Sequence, residues 1–428
     1  MTNIAIFASG NGTNAERIMD YFADSSLARV VLVISDNPDA FVLERARRHG
    51  VESVLFSRAE LADGERPLEL LRQRQVGFVV LAGYLRLVPD GIVRAYEGRM
   101  VNIHPALLPA YGGKGMYGER VHRAVIEAGE KESGITIHRV NGVYDSGDIL
   151  AQYRVAVEPD DTPDTLAAKI HRLEHRYFPE VIETEIGKLQ IRERMRLLLI
   201  SNSTTAGEPY LKYPIGRIGR FLEGVDEVAF VPYAAVTFSY DAYETKVQAR
   251  FDEIGVRVRS VHRAADPSRM IREASAICVG GGNTFALIKK MQEQGLCAAI
   301  RERIDSGIPY VGWSAGSNVT CPTICTTNDM PIVEPASFAA IGAIPFQINP
   351  HYLDAHPEGH AGETREQRIL EYIEANPGVW VAGLREGCML QLEGGVLQLT
   401  GNRPMRMFRR GVEPFEVEPG SDLNFLLG

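Results

Sequence analysis

The feature that most constrains this chain is an alternation of short apolar runs with segments of helical spacing, which occurs twice. In the first half the runs are rich in β-branched residues: Ile4 to Ala8, Val30 to Ser35, Phe78 to Ala82 and Met100 to Ile103. This rhythm is typical of βαβ units in a mostly parallel sheet. The sequence therefore predicts an α/β fold.

The second half repeats the alternation, which indicates a second domain. Its runs are Leu197 to Ile200, Val228 to Val231, Ala276 to Val279 and Tyr310 to Trp313. A chain of 428 residues also exceeds what one hydrophobic core usually supports. A long amphipathic helix is expected to begin near Thr162, and a charge-rich segment from Glu183 to Arg196 follows it. We predict two α/β domains, over residues 1–190 and 195–428.

Charge and composition exclude several classes of protein. The formal charge is −9 and lysine and arginine form no long run, so a nucleic-acid surface is not expected. The sequence has no stretch of 18 apolar residues and starts without a signal-peptide pattern. Five cysteines without CxxC pairing indicate reduced thiols. We expect a cytoplasmic enzyme without membrane partners, and the sequence leaves a homo-oligomer open.

A glycine-rich segment, residues 10–15 (GNGTNA), follows the first predicted strand and opens a helix. Its glycines let the backbone approach an anion, and the helix N-terminus offers unpaired N–H groups. The pattern fits the dinucleotide motif GxGxxG/A only formally. A nicotinamide dinucleotide, a phosphorylated substrate and an ordinary strand-to-helix turn all remain open from this motif alone.

Asn102 and His104 lie two positions apart in a predicted strand, so their side chains point to the same face. Asp145 follows in the turn-forming sequence YDSGD. Acyl transfer needs hydrogen-bond donors for the oxyanion that develops, and both the Asn102 amide and the His104 imidazolium can donate. We predict that Asp145 joins them and raises the pKa of His104.

The motifs ASGNGTN, LAGYLRLVP, NIHPALLP, YDSGDIL and HRLEHRYFP occur in an order that resembles phosphoribosylglycinamide formyltransferases over nearly all of residues 1–186. The resemblance implies a Rossmann-like fold and transfer of formyl from 10-formyltetrahydrofolate to glycinamide ribonucleotide in purine biosynthesis. It implies that Asn102 and His104 stabilise the tetrahedral intermediate and that Asp145 assists proton transfer.

The same resemblance implies the binding residues. Those for the ribonucleotide are Asn11, Gly12, Thr13, Asn14 and Glu174. Those for the folate are Leu85, Arg86, Leu87, Val88 and Asn141. A surface ion pair explains Arg86 about equally well.

A second constellation begins at residues 312–316 (GWSAG), which follow a predicted strand and fit the GxSxG nucleophile elbow. The small residues around Ser314 permit the sharp turn that exposes its hydroxyl. Asp329 and His351 follow within 37 residues of the serine, a more compact spacing than α/β-hydrolases show. A different fold is therefore expected to present this Ser, Asp and His.

The motifs SNST, FVPYA, HRAADP, VGGGNTF, GWSAGSN, CPTI, TTNDMPIV, QINPHY, PEGH and GETREQRI resemble peptidase E, the aspartyl dipeptidase, over roughly residues 195–400. The resemblance implies an α/β sandwich like that of class I glutamine amidotransferases. It implies Ser314 as nucleophile, His351 as general base and Asp329 as its orienting acid. The backbone N–H groups of Gly282 and Ala315 would form the oxyanion hole.

Cleavage of dipeptides that begin with aspartate requires a cation for the substrate carboxylate, and Arg365 is the candidate. Many relatives carry arginine where this chain has Cys325, which puts the specificity in doubt but not the Ser-His chemistry. No metal is expected. His351, His356 and His360 suggest a metal site only weakly, because the proline and glycine among them prevent a regular helix.

The leading hypothesis is therefore a bifunctional enzyme, a formyltransferase joined to a serine dipeptidase. One alternative is that the first domain formylates another acceptor, such as an aminoacylated RNA or a sugar nucleotide. Another is that one domain is a catalytically silent binding module. A dinucleotide-binding oxidoreductase is the more distant alternative.

Overall fold

The computed structural model describes residues 1–354 and 362–427, so His356 and His360 lie outside the described residues. The chain divides into two compact units, Met1–Leu189 and Gln190–Gly428. Within the described ranges, no helix combines the length and apolarity that a membrane span requires.

The first unit is built on a seven-stranded sheet in the order β3-β2-β1-β4-β5-β6-β7. Its strands are β1 (Thr2–Phe7), β2 (Ala28–Ser35), β3 (Glu52–Leu55), β4 (Val76–Leu81), β5 (Met100–His104), β6 (Glu132–Arg139) and β7 (Ile149–Ala156). The strands β1 to β5 pair in parallel, and β6 runs antiparallel to β5 and β7. The α/β class predicted for this half is confirmed.

Helices cover both faces of this sheet. They are α1 (Thr13–Phe22), α2 (Val42–Arg48), α3 (Arg58–Asp63), α4 (Glu65–Gln73), α5 (Asp90–Ala95), α6 (Glu119–Glu127) and α7 (Pro163–Arg194). Along β1, Ile4 and Ile6 pack into one apolar cluster, whereas Phe7 packs into the cluster on the opposite face. A strand that is buried on both faces has apolar residues at consecutive positions, and this run predicted β1 from the sequence.

The helix α7 is longer than the sequence suggested. It continues through the charge-rich segment that we expected to separate the domains, and the division into units falls between Leu189 and Gln190. Ile182 and Ile186 are buried on it, so its apolar stripe persists among the charges.

The described residues of the second unit form two sheets, with strand orders β10-β9-β11-β12-β8-β15-β16 and β13-β14-β17-β18. The strands are β8 (Leu197–Ile200), β9 (Glu227–Val231), β10 (Arg257–Ser260), β11 (Ile277–Val279), β12 (Tyr310–Trp313), β13 (Gln347–Tyr352), β14 (Val381–Arg385), β15 (Met389–Glu393), β16 (Val396–Thr400), β17 (Met405–Arg409) and β18 (Val412–Val417). This arrangement confirms the α/β class of the second domain.

Its helices are α8 (Ile215–Phe221), α9 (Tyr240–Phe251), α10 (Pro267–Glu273), α11 (Thr284–Glu293), α12 (Leu296–Asp305), α13 (Ala315–Asn318) and α14 (Arg365–Ala375). The apolar side chains of β8 divide between two clusters: Leu197 and Leu199 pack on one face, and Leu198 and Ile200 on the other. The larger sheet is therefore a buried central layer, and its carboxyl edge presents the loops that follow β11 and β12.

Candidate active sites

In the first unit, a cavity of about 660 Å³ opens at the carboxyl ends of β1, β4 and β5. The strand order reverses between β1 and β4, and open α/β sheets place ligand sites at such a point. Residues 10–14 line one end of the cavity and residues 81–88 another. Asn102 and His104 line it from the end of β5, and the loop that contains Asp145 closes it.

The structure brings the three predicted polar residues of this cavity together. Asn102 Nδ2 lies 3.4 Å from one oxygen of Asp145, and His104 Nδ1 lies 3.5 Å from the other. The Gly113 N–H donates to the same carboxylate at 2.9 Å, which fixes its orientation. His138, which was not predicted from the sequence, also belongs to this group: its Nε2 lies 3.1 Å from Asn102 Nδ2.

The expected effect of Asp145 on the pKa of His104 has the predicted direction, but burial of the imidazole has a larger and opposite effect. Burial lowers the pKa of His104 and outweighs Asp145 and the Tyr111 carbonyl, which both raise it. Burial acts to raise the pKa of Asp145, but contacts with His138, the Gly113 N–H and His104 hold it below its ordinary value. His104 Nε2 lies 2.8 Å from the Tyr111 carbonyl, which can only accept, so Nε2 carries a proton. The lowering by burial was not predicted, because no local sequence pattern reports how deeply His104 is buried.

The phosphate-loop candidate begins α1 in a constrained conformation. Gly12 has φ 76°, and a Cβ there would lie 2.5 Å from the Val42 side chain. Arg45 donates to the carbonyl and side-chain oxygens of Asn11 at 2.9 and 3.0 Å. Close packing against α2 and this arginine therefore hold the loop at the cavity.

Glu174 on α7 is almost fully buried beside this loop. Its carboxylate accepts from Asn14 Nδ2 at 2.9 Å, and burial raises its pKa. The Asn14 amide oxygen is buried without a hydrogen-bond partner among the described residues. A buried carboxylate and an unsatisfied amide that line one cavity form a polar binding surface.

The predicted folate segment, Leu85 to Val88, lines the cavity, and Leu85 and Leu87 are about half exposed. Arg86 lines it too, but its guanidinium is paired with the buried carboxylate of Asp36. Asn141 accepts hydrogen bonds from the Val143 N–H and the Ser146 hydroxyl, so it organises the loop that leads to Asp145.

In the second unit, Ser314 lies between β12 and α13 with φ 54° and ψ −114°. This conformation is strained for a residue with a side chain, and such strain is typical of a nucleophile elbow. A Cβ on Gly312 would lie 2.4 Å from the Gly316 carbonyl oxygen, so glycine is needed for the turn.

His351 joins the serine to a carboxylate, but not to the predicted one. Its Nε2 lies 2.9 Å from Ser314 Oγ, and its Nδ1 lies 2.7 Å from Glu386 Oε1. The prediction that Asp329 orients this imidazole is wrong in this structure. Asp329 instead accepts from the Thr284 N–H at 2.8 Å and from its hydroxyl at 2.6 Å.

The backbone at His351 explains how the ring reaches the serine. His351 has φ 54° and interrupts the register between β13 and β14 as a bulge, a device that re-aims a side chain. Ser201 secures the bulge: it accepts from the His351 N–H at 2.9 Å and donates to the Leu384 carbonyl at 2.7 Å. This role of Ser201 was not predicted from the sequence.

The loop after β11 approaches the serine closely. A Cβ on Gly281 would lie 2.9 Å from Ser314 Cβ. Tyr243 donates from its hydroxyl to the Gly281 carbonyl at 2.9 Å, and that hydroxyl accepts from Trp313 and Tyr210 at 3.2 Å each. Because a trans peptide directs its C=O and N–H to opposite sides, fixing the Gly281 carbonyl also fixes the Gly282 N–H.

Two residues linked to the predicted specificity and one cluster of possible metal ligands remain to be placed. Arg365 begins α14 half-buried, and Cys325 is exposed. Asp241, Glu244 and His262 place ligand-capable atoms within 4.8 Å of one another. The guanidinium of Arg263 already pairs with both of those carboxylates, so we assign no metal there.

Comparison with known families gives one match in each unit. The family model described as Formyl transferase matches residues 2–182, and that of Peptidase family S51 matches residues 197–400.

Several curated proteins are similar to the second unit, and the similarity extends over almost the whole length of each of them. Peptidase E from Nostoc sp. is 48% identical over 233 residues, which span 54% of this chain and 96% of that protein. Peptidase E from Streptomyces coelicolor is 47% identical over 234 residues, with coverage of 54% and 95%.

Solved structures are similar to the first unit. The phosphoribosylglycinamide formyltransferase of Streptococcus pneumoniae is 42% identical with a TM-score of 0.39, covering 43% of this chain and 98% of that one. The glycinamide ribonucleotide transformylase 1 of Geobacillus kaustophilus is 38% identical with a TM-score of 0.41, covering 44% and 99%.

Proposed function

This chain belongs to peptidase family S51 through its second unit and carries a formyl transferase domain in its first, and we propose that it is a bifunctional enzyme with two independent sites. The first site transfers a formyl group from 10-formyltetrahydrofolate to glycinamide ribonucleotide. The second hydrolyses dipeptides that begin with aspartate.

The formyl-transfer proposal rests on the convergence of Asn102, His104 and Asp145 in one cavity of about 660 Å³. The donor supplies an electrophilic formyl carbon, and the apolar segment Leu85 to Val88 offers a surface for its ring system. The loop at Asn11 to Asn14 suits a ribose phosphate, and Glu174 suits the ribose or amine.

The residues around the reacting carbon then have separate tasks. The Asn102 amide exchanges its long 3.4 Å contact with Asp145 for the formyl oxygen, where negative charge develops. His104 stabilises the same charge. Asp145 assists transfer of the proton that the attacking amine releases to the folate nitrogen, which leaves as its bond to the formyl carbon breaks. The low pKa of Asp145 keeps it ionised for this task at neutral pH.

The peptidase proposal rests on the chain of contacts from Ser314 through His351 to Glu386, at 2.9 and 2.7 Å. Ser314 attacks the peptide carbonyl while His351 removes its proton and then delivers it to the leaving amine. Glu386 holds the imidazole by its Nδ1 and stabilises the imidazolium that forms. The Gly282 and Ala315 N–H groups stabilise the oxyanion.

A pair of substitutions tests both assignments in the intact chain. His104→Ala is expected to abolish formylation of glycinamide ribonucleotide and to leave Asp-Leu hydrolysis unchanged, and Ser314→Ala is expected to do the reverse. Loss of both activities from either substitution, in a folded protein, would reject independent sites. If the formylation rate of the unsubstituted enzyme does not saturate with glycinamide ribonucleotide, that compound is excluded as the formyl acceptor.

A further inference from the structure

Arg385 directly precedes Glu386, and all five N–H groups of its guanidinium are bound. Nε donates to Asp354 Oδ2 at 2.8 Å, and Nη2 donates to Asp354 Oδ1. Nη1 and Nη2 donate to the two oxygens of Glu416 at 2.7 and 2.9 Å. Nη1 also donates to the Pro404 carbonyl at 2.6 Å. The side chain is 9% exposed, so this arginine is buried and its donors are fully satisfied.

The pair of Arg385 with Asp354 links the two segments that carry catalytic groups. Asp354 lies three residues after His351, and Arg385 lies one residue before Glu386. Tyr352 is opposite Arg385 in the pairing of β13 with β14, and the guanidinium carbon lies 5.5 Å from the centre of its ring. The bulge at His351 interrupts the regular pairing of these strands. The ion pair therefore constrains the register directly beside the bulge.

Further contacts hold Glu416 in place. Arg406 on β17 donates to Glu416 at 3.2 Å and to Glu366 on α14 at 3.1 Å. The Tyr352 hydroxyl donates to Glu366 at 3.1 Å. These contacts form a closed ring that returns to Arg385 through the aromatic face of Tyr352. The ring connects the strands β13, β14, β17 and β18 with α14.

The effect of this network is geometric more than energetic. Desolvation of partly buried ions offsets much of their attraction, so the network adds little net stability. A guanidinium that binds two carboxylates through parallel pairs of hydrogen bonds is, by contrast, restricted to one orientation. The hydrogen bonds with Glu416 and Asp354 raise the pKa of Arg385, which keeps the guanidinium charged.

We propose that Arg385 is a positioning residue of the peptidase site. Through Asp354 and Glu416 it holds the carboxyl ends of β13 and β14 in fixed register. The 2.7 Å contact between Glu386 and Nδ1 of His351 then depends on this guanidinium. The proposal rests on the peptidase function proposed above and deepens it, because it adds a requirement in a residue that does not contact the substrate in that scheme.

Arg385→Lys tests the proposal in the full chain, because lysine keeps the positive charge but lacks the planar fork. The kcat for Asp-Leu hydrolysis is expected to fall about 10- to 100-fold, since the carboxylate of Glu386 is displaced from the imidazole. The KM should change little, because the network is remote from the substrate in this scheme. Steady-state kinetics measure both values, and an unchanged kcat would overturn the proposal.

A double-variant cycle with Glu386→Gln separates positioning from general damage to the fold. Once the carboxylate is gone, Arg385 has nothing to position, so Arg385→Lys should cause no further loss of kcat in the Glu386→Gln background. Losses that multiply in the double variant would assign Arg385 a purely structural role and reject the proposal. Glu416→Gln removes one of the two carboxylate partners and enters the same cycle if Arg385→Lys does not fold.

Arg196→Lys is the matched control. Arg196 also binds a carboxylate and a backbone carbonyl, those of Glu393 at 2.9 Å and Phe221 at 2.8 Å. It precedes β8, which runs parallel to β12, so it lies at the edge of the sheet opposite the loop with Ser314. Arg196→Lys should therefore keep the normal kcat, and a loss equal to that of Arg385→Lys would contradict a specific role for Arg385.

A measurement without turnover distinguishes this inference from the peptidase function. A neutral imidazole carries its proton on either nitrogen, and a carboxylate at Nδ1 favours the proton there. In mildly alkaline buffer, the ring ¹⁵N shifts of His351, assigned by comparison with His351→Gln, should report Nδ1–H in the unsubstituted protein and in Arg196→Lys, and a shift toward Nε2–H in Arg385→Lys. Nε2–H in the unsubstituted protein, or undiminished Nδ1–H in Arg385→Lys, would overturn the inference. Absence of Asp-Leu hydrolysis by the unsubstituted protein would reject only the proposed peptidase function.

Discussion

The carboxylate of Glu386 lies 2.7 Å from Nδ1 of His351, on the side of the ring opposite the serine. Two strands create this contact. In the parallel pairing of β13 with β14, Pro350 is opposite Leu384 and Tyr352 is opposite Arg385. The residue that follows β14 therefore lies beside the bulged histidine.

Glu386→Gln is expected to lower kcat for Asp-Leu hydrolysis by roughly 10² to 10⁴-fold, because the amide cannot stabilise an imidazolium and favours the wrong tautomer. The KM should change little, since Glu386 does not contact the substrate in this scheme. Steady-state kinetics measure both values. Glu413→Gln, an exposed carboxylate on β18, is the control, and a normal kcat in Glu386→Gln would contradict the triad.

Tyr243→Phe is expected to lower kcat by about tenfold, less than the 10² to 10³-fold that follows loss of an oxyanion donor, because the Gly282 N–H remains but is less well oriented. Tyr210→Phe is the matched control: it removes one hydrogen bond to the Tyr243 hydroxyl and leaves the bond to Gly281 in place. Equal losses in the two variants would mean that the tyrosines act through packing alone.

The sequence revealed those features that short-range patterns determine. Buried strands appeared as apolar runs, and the two-residue period of a strand correctly put Asn102 and His104 on one face, where both reach Asp145. The motif order pointed to both enzyme families. Ser314 was visible because a nucleophile elbow needs small residues at fixed positions around the serine.

Features that depend on which segments become neighbours were missed. The order Ser, Asp, His favoured Asp329, whereas the pairing of β13 with β14 brings Glu386 to the histidine from 35 residues further along the chain. The pKa of His104 depends on its burial, which no local pattern reports. The charges between residues 183 and 196 indicated a domain boundary, and the units do divide within that segment, but the continuation of α7 through it was not predicted.

Gly12→Ala is expected to destabilise the first unit by roughly 1 to 3 kcal/mol, because the left-handed conformation and the overlap with Val42 both oppose a side chain. It should also raise the KM for glycinamide ribonucleotide by moving the start of α1. Gly10→Ala is the matched control, since a Cβ there meets no atom within 4 Å. Denaturant unfolding and formyl-transfer kinetics measure these effects, and equal effects of the two substitutions would contradict a special role for Gly12.

The stability of the first unit is expected to fall in mild acid because of His122, which is 2% exposed. Burial lowers its pKa from 6.5 to about 4, so between these values the unfolded chain binds a proton that the folded one does not. The stabilising contribution is therefore complete above pH 6.5 and is lost as the pH falls, by about 2 kcal/mol at pH 5. Unfolding at pH 7.5 and pH 5 should show this loss, and His122→Gln should reduce the difference between the two pH values. A difference that is unchanged in His122→Gln would assign the acid sensitivity to other groups.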